Sequence, residues 1–388
     1  MNKYRLNIFK LYLVKIAKWF MLTMPIITLF YQENGLSMSD VLLLQGLYSI
    51  AIVALEIPSG YFADLWGRKA TMIIGSILGV IGFGIYSFSF SFWGFLAAEL
   101  TLGIGQSFIS GSDSALLYDS LIKLGEEKRY IKLEGRVLSI GNFAETIAAL
   151  IGGWLAEYSL RTPFIAQTFV AAIAIPASIT LLEPFAINKH ENRWKTILQV
   201  LKNTLKENKS LQWLILLTAI IGTGTLTMAW LIQPYLREIL KFSVSEIGTV
   251  LAILNLIVGL TTLIAYKVEH RLGLKNSIWI IIIGVSLPYI AMGLHQTTYI
   301  LFAIVIFYIM RGLATPILKD SINKQSPTEV RATILSIRNF AIRIIFAVFG
   351  PFLGWFSDLY SLSDALILAG VGLLIASVFP LIFIRFKS

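Results

Sequence analysis

The sequence predicts an all-α membrane protein, with twelve transmembrane helices arranged as two pseudo-symmetric six-helix bundles. Of its 388 residues, 56% are hydrophobic and only 14% are charged, whereas charged residues make up about 25% of an ordinary soluble domain. A chain with so few polar side chains cannot cover a water-soluble particle of this size. Two further observations support the prediction: a regular series of apolar stretches, and an uneven distribution of Lys and Arg between them.

The apolar stretches are long enough to cross a bilayer, because its hydrocarbon core needs about 20 helical residues per crossing. The turns that follow odd-numbered segments are short and contain Gly, Ser or Pro, as in Glu33–Ser37, whereas the stretches after even-numbered segments carry the charge. In chain order the twelve predicted segments are 8–31, 41–62, 70–90, 92–117, 137–158, 163–182, 211–235, 246–266, 277–294, 298–318, 334–356 and 365–384.

The positive residues indicate how these segments are oriented. If Lys10 at the start of segment 1 is counted with the N-terminus, 24 of the 32 Lys and Arg residues lie on the side of the termini and the even-numbered loops. Five lie deeper inside segments, and only Arg161, Arg237 and Lys241 lie on the other side. Cytoplasmic loops carry the excess of Lys and Arg. We therefore expect both termini in the cytoplasm and a location in the cell (inner or plasma) membrane. The net charge of +10 reflects this topology and does not indicate binding of nucleic acid.

The longest loop, 183–210, divides the segments into six and six. It predicts three parts: an N-terminal bundle over 1–182, a linker over 183–210, and a C-terminal bundle over 211–388. Apolar residues recur in the linker at helical spacing with lysines between them, which is typical of an amphipathic helix on the membrane surface. The apolar residues that recur at this spacing are Trp194, Ile197, Leu198, Leu201 and Leu205.

The two halves also resemble each other in sequence. Residues 138–144, LSIGNFA, recur as LSIRNFA at 335–341, and Ser39-Asp40 before segment 2 matches Ser245-Glu246 before segment 8. Gly67 and Lys69 likewise match Gly273 and Lys275. Six helices per half preserve orientation, so the repeat is parallel. Such repeats place a central cavity between two bundles that rock to expose it to each side in turn.

The stretch after segment 2 reads GYFADLWGRK over residues 60–69. It matches the pattern G-x-x-x-D-[RK]-x-G-[RK]-[RK], which joins helices 2 and 3 in the major facilitator superfamily. Only Leu65 departs from that pattern, where a basic residue is usual. The chain therefore resembles a member of this family over all twelve segments, and in particular its bacterial efflux-type, drug–proton antiporter branch.

The resemblance implies that this stretch forms a cytoplasmic gate. Gly60 and Gly67 would allow close helix packing and a tight turn. Asp64 would face the positive N-terminal end of helix 11, near Arg338, and Arg68 would pair with an acid at the end of helix 4. The alternative is that Arg68 and Lys69 only fix the orientation of the helices in the membrane. The list of predicted gate residues is Gly60, Asp64, Gly67, Arg68, Lys69, Asp119 and Arg338. The copy in the second half is degraded, with His270 in the place of the aspartate and Glu269 before it.

Two other family patterns are altered. Helix 4 usually has an Arg four residues before a Gly, and here Glu99 stands before Gly103. Many drug/proton antiporters carry G-P-x-x-G-G in helix 5, and residues 148–153 read AALIGG, without the proline. A Gly350-Pro351 pair occurs in helix 11 instead. These departures weaken a direct transfer of the antiporter function.

Charged side chains inside hydrocarbon are costly unless paired or hydrated, so they are functional candidates. The candidate proton-coupling acids all lie in the first half: Glu145, Glu99, Asp113 and Glu56. Glu145 and Glu99 lead, because a carboxyl in a low-dielectric site holds a proton more readily than in water. Glu56 could instead strengthen the gate, and Asp113 could face the cavity or pack structurally. Lys15 is expected to extend to the headgroups.

The second half supplies arginines in place of acids, and these are fixed charges that could bind an anionic group or act as counter-ions. The predicted cavity residues are Lys18, Asn142, Trp230, Gln233, Asn255, Arg311, Asn339 and Arg343. The resemblance implies that helices 1, 4, 7 and 10 line the cavity. Pro25 and Pro234 are expected to kink helices 1 and 7.

We therefore expect a secondary transporter of a small organic solute that is proton-coupled and functions as a monomer. Export is the first interpretation. The alternative is proton-coupled import, or uniport, of a nutrient or metabolite, for which the internal arginines would suit an anionic compound. The chain has no Cys, only three His far apart and no Walker-type loop, so we expect no cofactor, metal centre, ATP use or enzymatic activity. A non-transporting membrane sensor or scaffold is a remote alternative.

Overall fold

The computed structural model describes residues 3–110, 112–184, 202–204, 206, 208–327 and 330–384. The side chains of a few residues inside helices, among them Asp64 and Asn142, also lie outside this description. Within the described ranges every regular element is helical. The predicted amphipathic helix lies almost entirely outside the described residues, since Trp194, Ile197 and Leu198 are among those left out.

The first six predicted segments fall on nine helices, α1–α9. Segments 1, 4 and 6 are each divided between two helices, while segments 2, 3 and 5 each form one. In chain order these helices are α1 (Lys3–Trp19), α2 (Ile27–Glu33), α3 (Met38–Trp66), α4 (Arg68–Phe88), α5 (Phe92–Ile109), α6 (Ser112–Leu124), α7 (Tyr130–Ala156), α8 (Thr162–Ala172) and α9 (Ala174–Ile179).

The last six segments fall on five helices, because segments 8 and 9 form the two arms of one long helix that meet at Gly273. The helices are α10 (Lys209–Pro234), α11 (Val244–Leu294), α12 (Leu301–Gln325), α13 (Arg331–Leu359) and α14 (Leu362–Phe383). Nine helical stretches of the described chain are long and apolar enough to cross a membrane, with the two arms of α11 counted once. The exact number of twelve crossings stays a prediction.

Both predicted proline irregularities are present. Pro25 lies in the turn that separates α1 from α2, and Pro234 ends α10, where a π-helical turn over Tyr235–Ile239 follows. A further break, which the sequence analysis did not predict, separates α5 from α6. There Ser110 takes an extended conformation with ψ of 129°. The break places the first turn of α6, with Asp113, in the middle of a membrane-length stretch.

Two local structures recur at the same offset of 206 residues. Gly67 has φ 91° and ψ 152°, and Gly273 has φ 75° and ψ 157°, a left-handed conformation that favours glycine. At the start of α3, Ser37 and Asp40 exchange hydrogen bonds between side chain and backbone, and Ser243 and Glu246 do the same at the start of α11. These reciprocal caps support the internal repeat that the sequence indicates.

Contacts between Cα atoms divide the chain into two compact units. Unit 1 comprises Met1–Leu36, Leu47–Lys189 and Ser243–Ile253, and unit 2 comprises Ser37–Gly46, His190–Phe242 and Leu254–Ser388. The first turns of α3 thus belong to unit 2, and the first turns of α11 belong to unit 1. In unit 1, α1 packs on α6, α7 and α9, and α4 packs on α5 and α8. In unit 2, α10 packs on α12, α13 and α14.

The helices expose apolar side chains over much of their surface. Trp93 is 75% exposed, Phe169 71%, Phe302 72% and Ile375 66%. In water such a surface would be costly and prone to association. A hydrocarbon solvent explains it, because lipid chains cover apolar side chains while each helix satisfies its own backbone.

Candidate transport site

An ion pair between α1 and α6 lies inside unit 1. The Lys15 Nζ is 2.7 Å from Asp113 Oδ2, and Asp113 is 4% exposed. The expectation that Lys15 extends to the headgroups is therefore wrong, because a buried carboxylate binds its ammonium group. Lys18 lies in the last turn of α1 and is close enough to interact electrostatically with both Lys15 and Asp113.

A second acid, which the sequence analysis did not single out, lies beside this pair. Glu134 of α7 accepts a hydrogen bond from the Ser114 hydroxyl at 2.8 Å, and its Oε1 is 3.9 Å from Lys15 Nζ. Glu134 lies just before the start of predicted segment 5, so a search for charges within apolar segments passed over it. Three helices of unit 1 thus contribute charges to one cluster: Lys15, Asp113 and Glu134.

Glu99 lies in a different part of unit 1, among aromatic rings. It is 4% exposed, and the Tyr31 hydroxyl donates a hydrogen bond to its Oε1 at 2.8 Å. Tyr31 also shares a short hydrogen bond with Tyr86, and the Phe95 ring lies 5.2 Å from that of Tyr31. Glu99 is therefore a buried carboxyl held by phenol groups of α2 and α4.

The remaining predicted acids of unit 1 are less buried. Glu145 is half-buried on α7, about 16 Å along that helix from Glu134 at 1.5 Å per residue, and Glu56 is half-buried on α3. Asn142 also lies on α7, with its side chain outside the described residues. Carboxyl groups of α5, α6 and α7 therefore occur in two separate places of unit 1, at Glu99 and at the neighbouring Asp113 and Glu134.

Unit 2 contains three half-buried arginines on α12 and α13. Among the residues that the structure describes, no carboxylate lies within 4 Å of Arg311, Arg338 or Arg343, and all three side chains are half-buried. The Arg311 guanidinium lies 5.5 Å from the centre of the Tyr308 ring. Arg338 donates to the exposed Asn339 at 3.1 Å. These cations are available to bind an anionic group.

The polar candidates on α10 and α11 differ in burial. Gln233 is 1% exposed and donates to the Ala229 carbonyl of its own helix at 3.3 Å. Trp230 is 7% exposed, and Asn255 is half-buried in the first arm of α11. At least one N–H of the Gln233 amide is therefore hydrogen-bonded within its own helix.

The stretch between α3 and α4 shows the predicted ion pair. Arg68 pairs with Asp119 at the end of α6 and also donates to the Ala115 carbonyl at 3.1 Å, which confirms the expected contact. Sequence reasoning missed Glu183, whose carboxylate accepts hydrogen bonds from the backbone N–H groups of Arg68 at 3.3 Å and Lys69 at 2.9 Å. It caps the N-terminus of α4, where four N–H groups lack partners in the helix. An acid directly after segment 6 was the only sequence signal.

One expectation about this stretch is wrong. A Cβ atom placed on Gly60 would meet no described atom within 4 Å, so the close packing expected at this glycine is absent, and only Gly67 makes the tight turn. The interaction of Asp64 with helix 11 stays a prediction. In the second half, Glu269 pairs with Lys324 of α12 at 3.6 Å, so an ion pair is also present beside the degraded copy.

The opposite end of unit 1 is held by Arg161, which the sequence analysis used only in counting charges. Its guanidinium donates to the carbonyls of Tyr86, Ser87 and Ser89 at the end of α4, and to Asn34. It also lies 3.9 Å from the centre of the Phe90 ring. Burial lowers the pKa of Arg161, opposed by the nearby Glu33 carboxylate.

Membrane-length helices with charged side chains inside their spans are typical of multi-pass membrane proteins with a functional site within the bilayer. A sequence model described as Major Facilitator Superfamily matches residues 11–347. The chain belongs to this family, which confirms the resemblance drawn from residues 60–69. Its family and its relatives are transporters of small molecules and not enzymes.

Relatives from two organisms and one solved structure illustrate the range of this similarity. An uncharacterized MFS-type transporter of Methanocaldococcus jannaschii is 23% identical over 355 residues, which are 88% of each chain. A multi-drug resistance efflux pump PmrA homolog of Lactococcus lactis is 27% identical over 285 residues, or 70% of this chain and 67% of that one. The crystal structure of the nucleoside transporter NupG has a TM-score of 0.82 at 15% identity over the whole of both chains, which shows the fold alone.

Proposed function

We propose that the chain is a proton-coupled exporter of small organic solutes, which works as a monomer by alternating access in the plasma membrane, with both termini in the cytoplasm. The observation that carries the proposal is the buried carboxyl of Glu99, with the Tyr31 hydroxyl 2.8 Å away. The efflux relative from Lactococcus lactis supports the direction of transport. The excess of Lys and Arg on one side supports the orientation.

The chemistry of a buried carboxyl suits proton coupling. Burial disfavours the charged form of a carboxyl, and hydrogen bonds from phenol groups favour it. A small change in the burial of such a carboxyl, or in its hydrogen bonds, can therefore cause it to take up or release a proton. Glu145, which is half-buried on the neighbouring α7, is the second proposed proton site. Protonation changes the charge of the unit and shifts the equilibrium between its two conformations.

The stretch from Gly60 to Lys69 is proposed as the cytoplasmic gate. The ion pair of Arg68 with Asp119 joins α4 to α6, and Glu183 caps α4 from the end of the α9 region. Together they hold the start of α4 rigidly. In this proposal Asp64 then interacts with the N-terminal end of α13, close to Arg338.

The test uses the purified full chain in proteoliposomes, with ethidium and norfloxacin as probes. We expect an imposed pH gradient to drive accumulation of at least one probe, and Glu99→Gln and Glu145→Gln to abolish the gradient-driven part while downhill flux continues. Glu157→Gln is the matched control, because Glu157 is exposed at the end of α7. Full gradient-driven flux in both variants would exclude these acids as the proton sites.

A second candidate is import or uniport of an anionic solute. It is favoured by Arg311 and Arg343, which have no acid within 4 Å among the described residues. Buried arginines suit the planar geometry of carboxylate and phosphate groups. Uptake of a carboxylate or a phosphate ester that depends on Arg343, with no flux of ethidium, would favour this candidate over the exporter.

A further inference from the structure

We propose that Glu134 is the carboxyl that exchanges protons with the cytoplasm, and that Lys15 is a switch that moves between Asp113 and Glu134. The inference rests on the proposed proton-coupled function and deepens it, since it assigns the site of proton release. The three residues belong to α1, α6 and α7 of unit 1, so a change in their pairing changes how these helices are joined.

The ammonium group of Lys15 is shared unequally between the two acids. It lies 2.7 Å from Asp113 Oδ2 and 3.9 Å from Glu134 Oε1. The first distance is that of a charge-assisted hydrogen bond, and the second is too long for one. In this structure Lys15 is therefore bound to Asp113, with Glu134 within reach as a second partner.

The two carboxyl groups differ in how their oxygens are satisfied. Asp113 accepts hydrogen bonds on both oxygens, from the Ser114 N–H at 2.6 Å and from Lys15. Glu134 accepts from the Ser114 hydroxyl on Oε1, whereas its buried Oε2 has no hydrogen-bond partner in the described part of the chain. Moving a charged group from water into the protein interior costs far more free energy than moving a neutral group. Both oxygens of Asp113 therefore have a donor, and the unpartnered Oε2 of Glu134 is the atom to which the proposal assigns the proton.

Glu134 is also the more accessible of the two acids. Its side chain is 23% exposed, against 4% for Asp113. It lies in the second turn of α7, directly after the exposed turn over Glu127–Arg129. This turn is on the side that the excess of positive residues assigns to the cytoplasm. Part of the Glu134 side chain is therefore accessible to solvent near that side, although its Oε2 is itself buried.

Among the residues that the structure describes, the other ionisable groups near the cluster do not supply a competing acid. From α1 these are Lys18 and Tyr12, and from α7 they are Tyr130 and Arg136. Arg129 also interacts electrostatically with Tyr12, but its guanidinium forms an ion pair with Glu126. On α4, which packs on α6, Arg68 pairs with Asp119. The helices α8 and α9, which also contact α1, carry no ionisable side chain.

The switch follows from charge balance. While Glu134 is protonated and neutral, Lys15 stays with Asp113, which is the arrangement observed. When Glu134 releases its proton to cytoplasmic water, the new carboxylate attracts Lys15, which keeps its own proton throughout. The bond between α1 and α6 weakens and a bond between α1 and α7 forms. Proton release is thereby coupled to a change in helix packing.

The test needs no substrate, because it follows the C=O stretch of protonated carboxyl groups by infrared spectroscopy of the purified full chain between about pH 5 and pH 9. We expect a component of this band, beyond the absorption of Glu99 and Glu145, that disappears as the pH rises. Glu134→Gln should remove this component and Glu127→Gln should retain it. Glu127 is the matched control because it is exposed. Glu134→Asp keeps a carboxyl and should keep the band, which shows that the site tolerates replacement.

A second variant tests the switch itself. Asp113→Asn leaves Lys15 with Glu134 as its only acidic partner of the cluster, so the Glu134 band should lose its proton at a pH at least about one unit lower. An unchanged midpoint in Asp113→Asn, or a carboxyl band of equal intensity in Glu134→Gln and the wild type, would overturn the inference. Ethidium flux separates the two proposals. A wild-type protein with the band but without gradient-driven flux refutes proton-coupled export and not the assignment of Glu134.

Discussion

Asp358, near the end of α13, caps the first turn of α3 at Ser39. Its carboxylate accepts hydrogen bonds from the backbone N–H of Met38 at 2.9 Å and of Ser39 at 2.8 Å. Gly354 lies one turn earlier, and a Cβ there would come within 2.5 Å of the Met38 carbonyl oxygen. The close approach and the charge together explain why the first turns of α3 belong to unit 2 while the rest of the helix belongs to unit 1.

Asp358→Asn should loosen the start of α3. The variant removes the negative charge that stabilises a helix N-terminus, and the loss is about 1 kcal/mol. Hydrogen–deuterium exchange of the backbone at residues 38–39 should therefore speed up about fivefold. Glu157→Gln, at an exposed position, should leave the exchange unchanged. Equal protection in Asp358→Asn and the wild type would show that the two hydrogen bonds contribute little.

The Arg68–Asp119 pair should show energetic coupling. Its side chains are 30% and 17% exposed, so removal of one partner leaves a partly buried charge, at a cost of about 1–3 kcal/mol. We expect Arg68→Gln and Asp119→Asn each to lower the apparent melting temperature of the purified chain, and the double variant to lower it by less than the sum. Strict additivity would mean that the pair has no coupling energy.

The proposed gate role of Arg68 predicts a separate effect on transport. Arg68→Gln should slow ethidium flux in proteoliposomes while its equilibrium binding, measured by fluorescence anisotropy, changes by less than about twofold, a free energy of about 0.4 kcal/mol. The reason is that, among the described residues, the side-chain contacts of Arg68 are with Asp119 and the Ala115 carbonyl of α6, and neither is a predicted cavity residue. Loss of binding by a correctly folded variant would contradict a gate.

Two glycines of unit 1 should respond in opposite ways to the same substitution. A Cβ on Gly152 would collide with the Leu22 carbonyl in the turn between α1 and α2, whereas one on Gly79 of α4 would meet nothing within 4 Å. Gly152→Ala should destabilise the protein by about 1–3 kcal/mol, and Gly79→Ala should be neutral or stabilise it by up to about 1 kcal/mol. Thermal melts of both variants in detergent test this, and a stable Gly152→Ala would refute the close approach.

Arg161 should not tolerate replacement by lysine. Its guanidinium reaches three carbonyls of α4 and its C-terminal turn, and one amide oxygen, at 2.8–3.1 Å. An ammonium group cannot reproduce that planar fork. We expect Arg161→Lys to cost about 1–3 kcal/mol and to lower the apparent melting temperature, while Arg136→Lys, at an exposed position on α7, leaves it unchanged. Equal stability of the two variants would contradict this role.

The sequence was sufficient for features that depend on local chemistry. Helices in lipid must satisfy their own backbone, so the apolar segments fall on helices, although their number as separate crossings stays a prediction. The tight turn expected at Gly67 is present, and Gly273 has a similar conformation. The Arg68–Asp119 contact was predicted because the family pattern fixes both positions.

Features that depend on which helix faces which were not predictable. The prediction that Lys15 extends to the headgroups depended only on its position within segment 1. Its partner Asp113 lies 98 positions further along the chain. Glu134 and Glu183 lie just outside the apolar segments, where acids are common and carry no signal. The break before α6 depends on a short stretch of small polar residues around Ser110, which many continuous helices also contain.

The central claim, that this transporter exchanges a solute for protons, can be tested in one measurement. Proteoliposomes that contain the purified chain and a trapped pH-sensitive dye are given an acidic interior, and ethidium is added outside. The account predicts that ethidium raises the internal pH only in vesicles with the protein, and that Glu99→Gln prevents this. Protein-dependent entry of ethidium with no change in internal pH would contradict it.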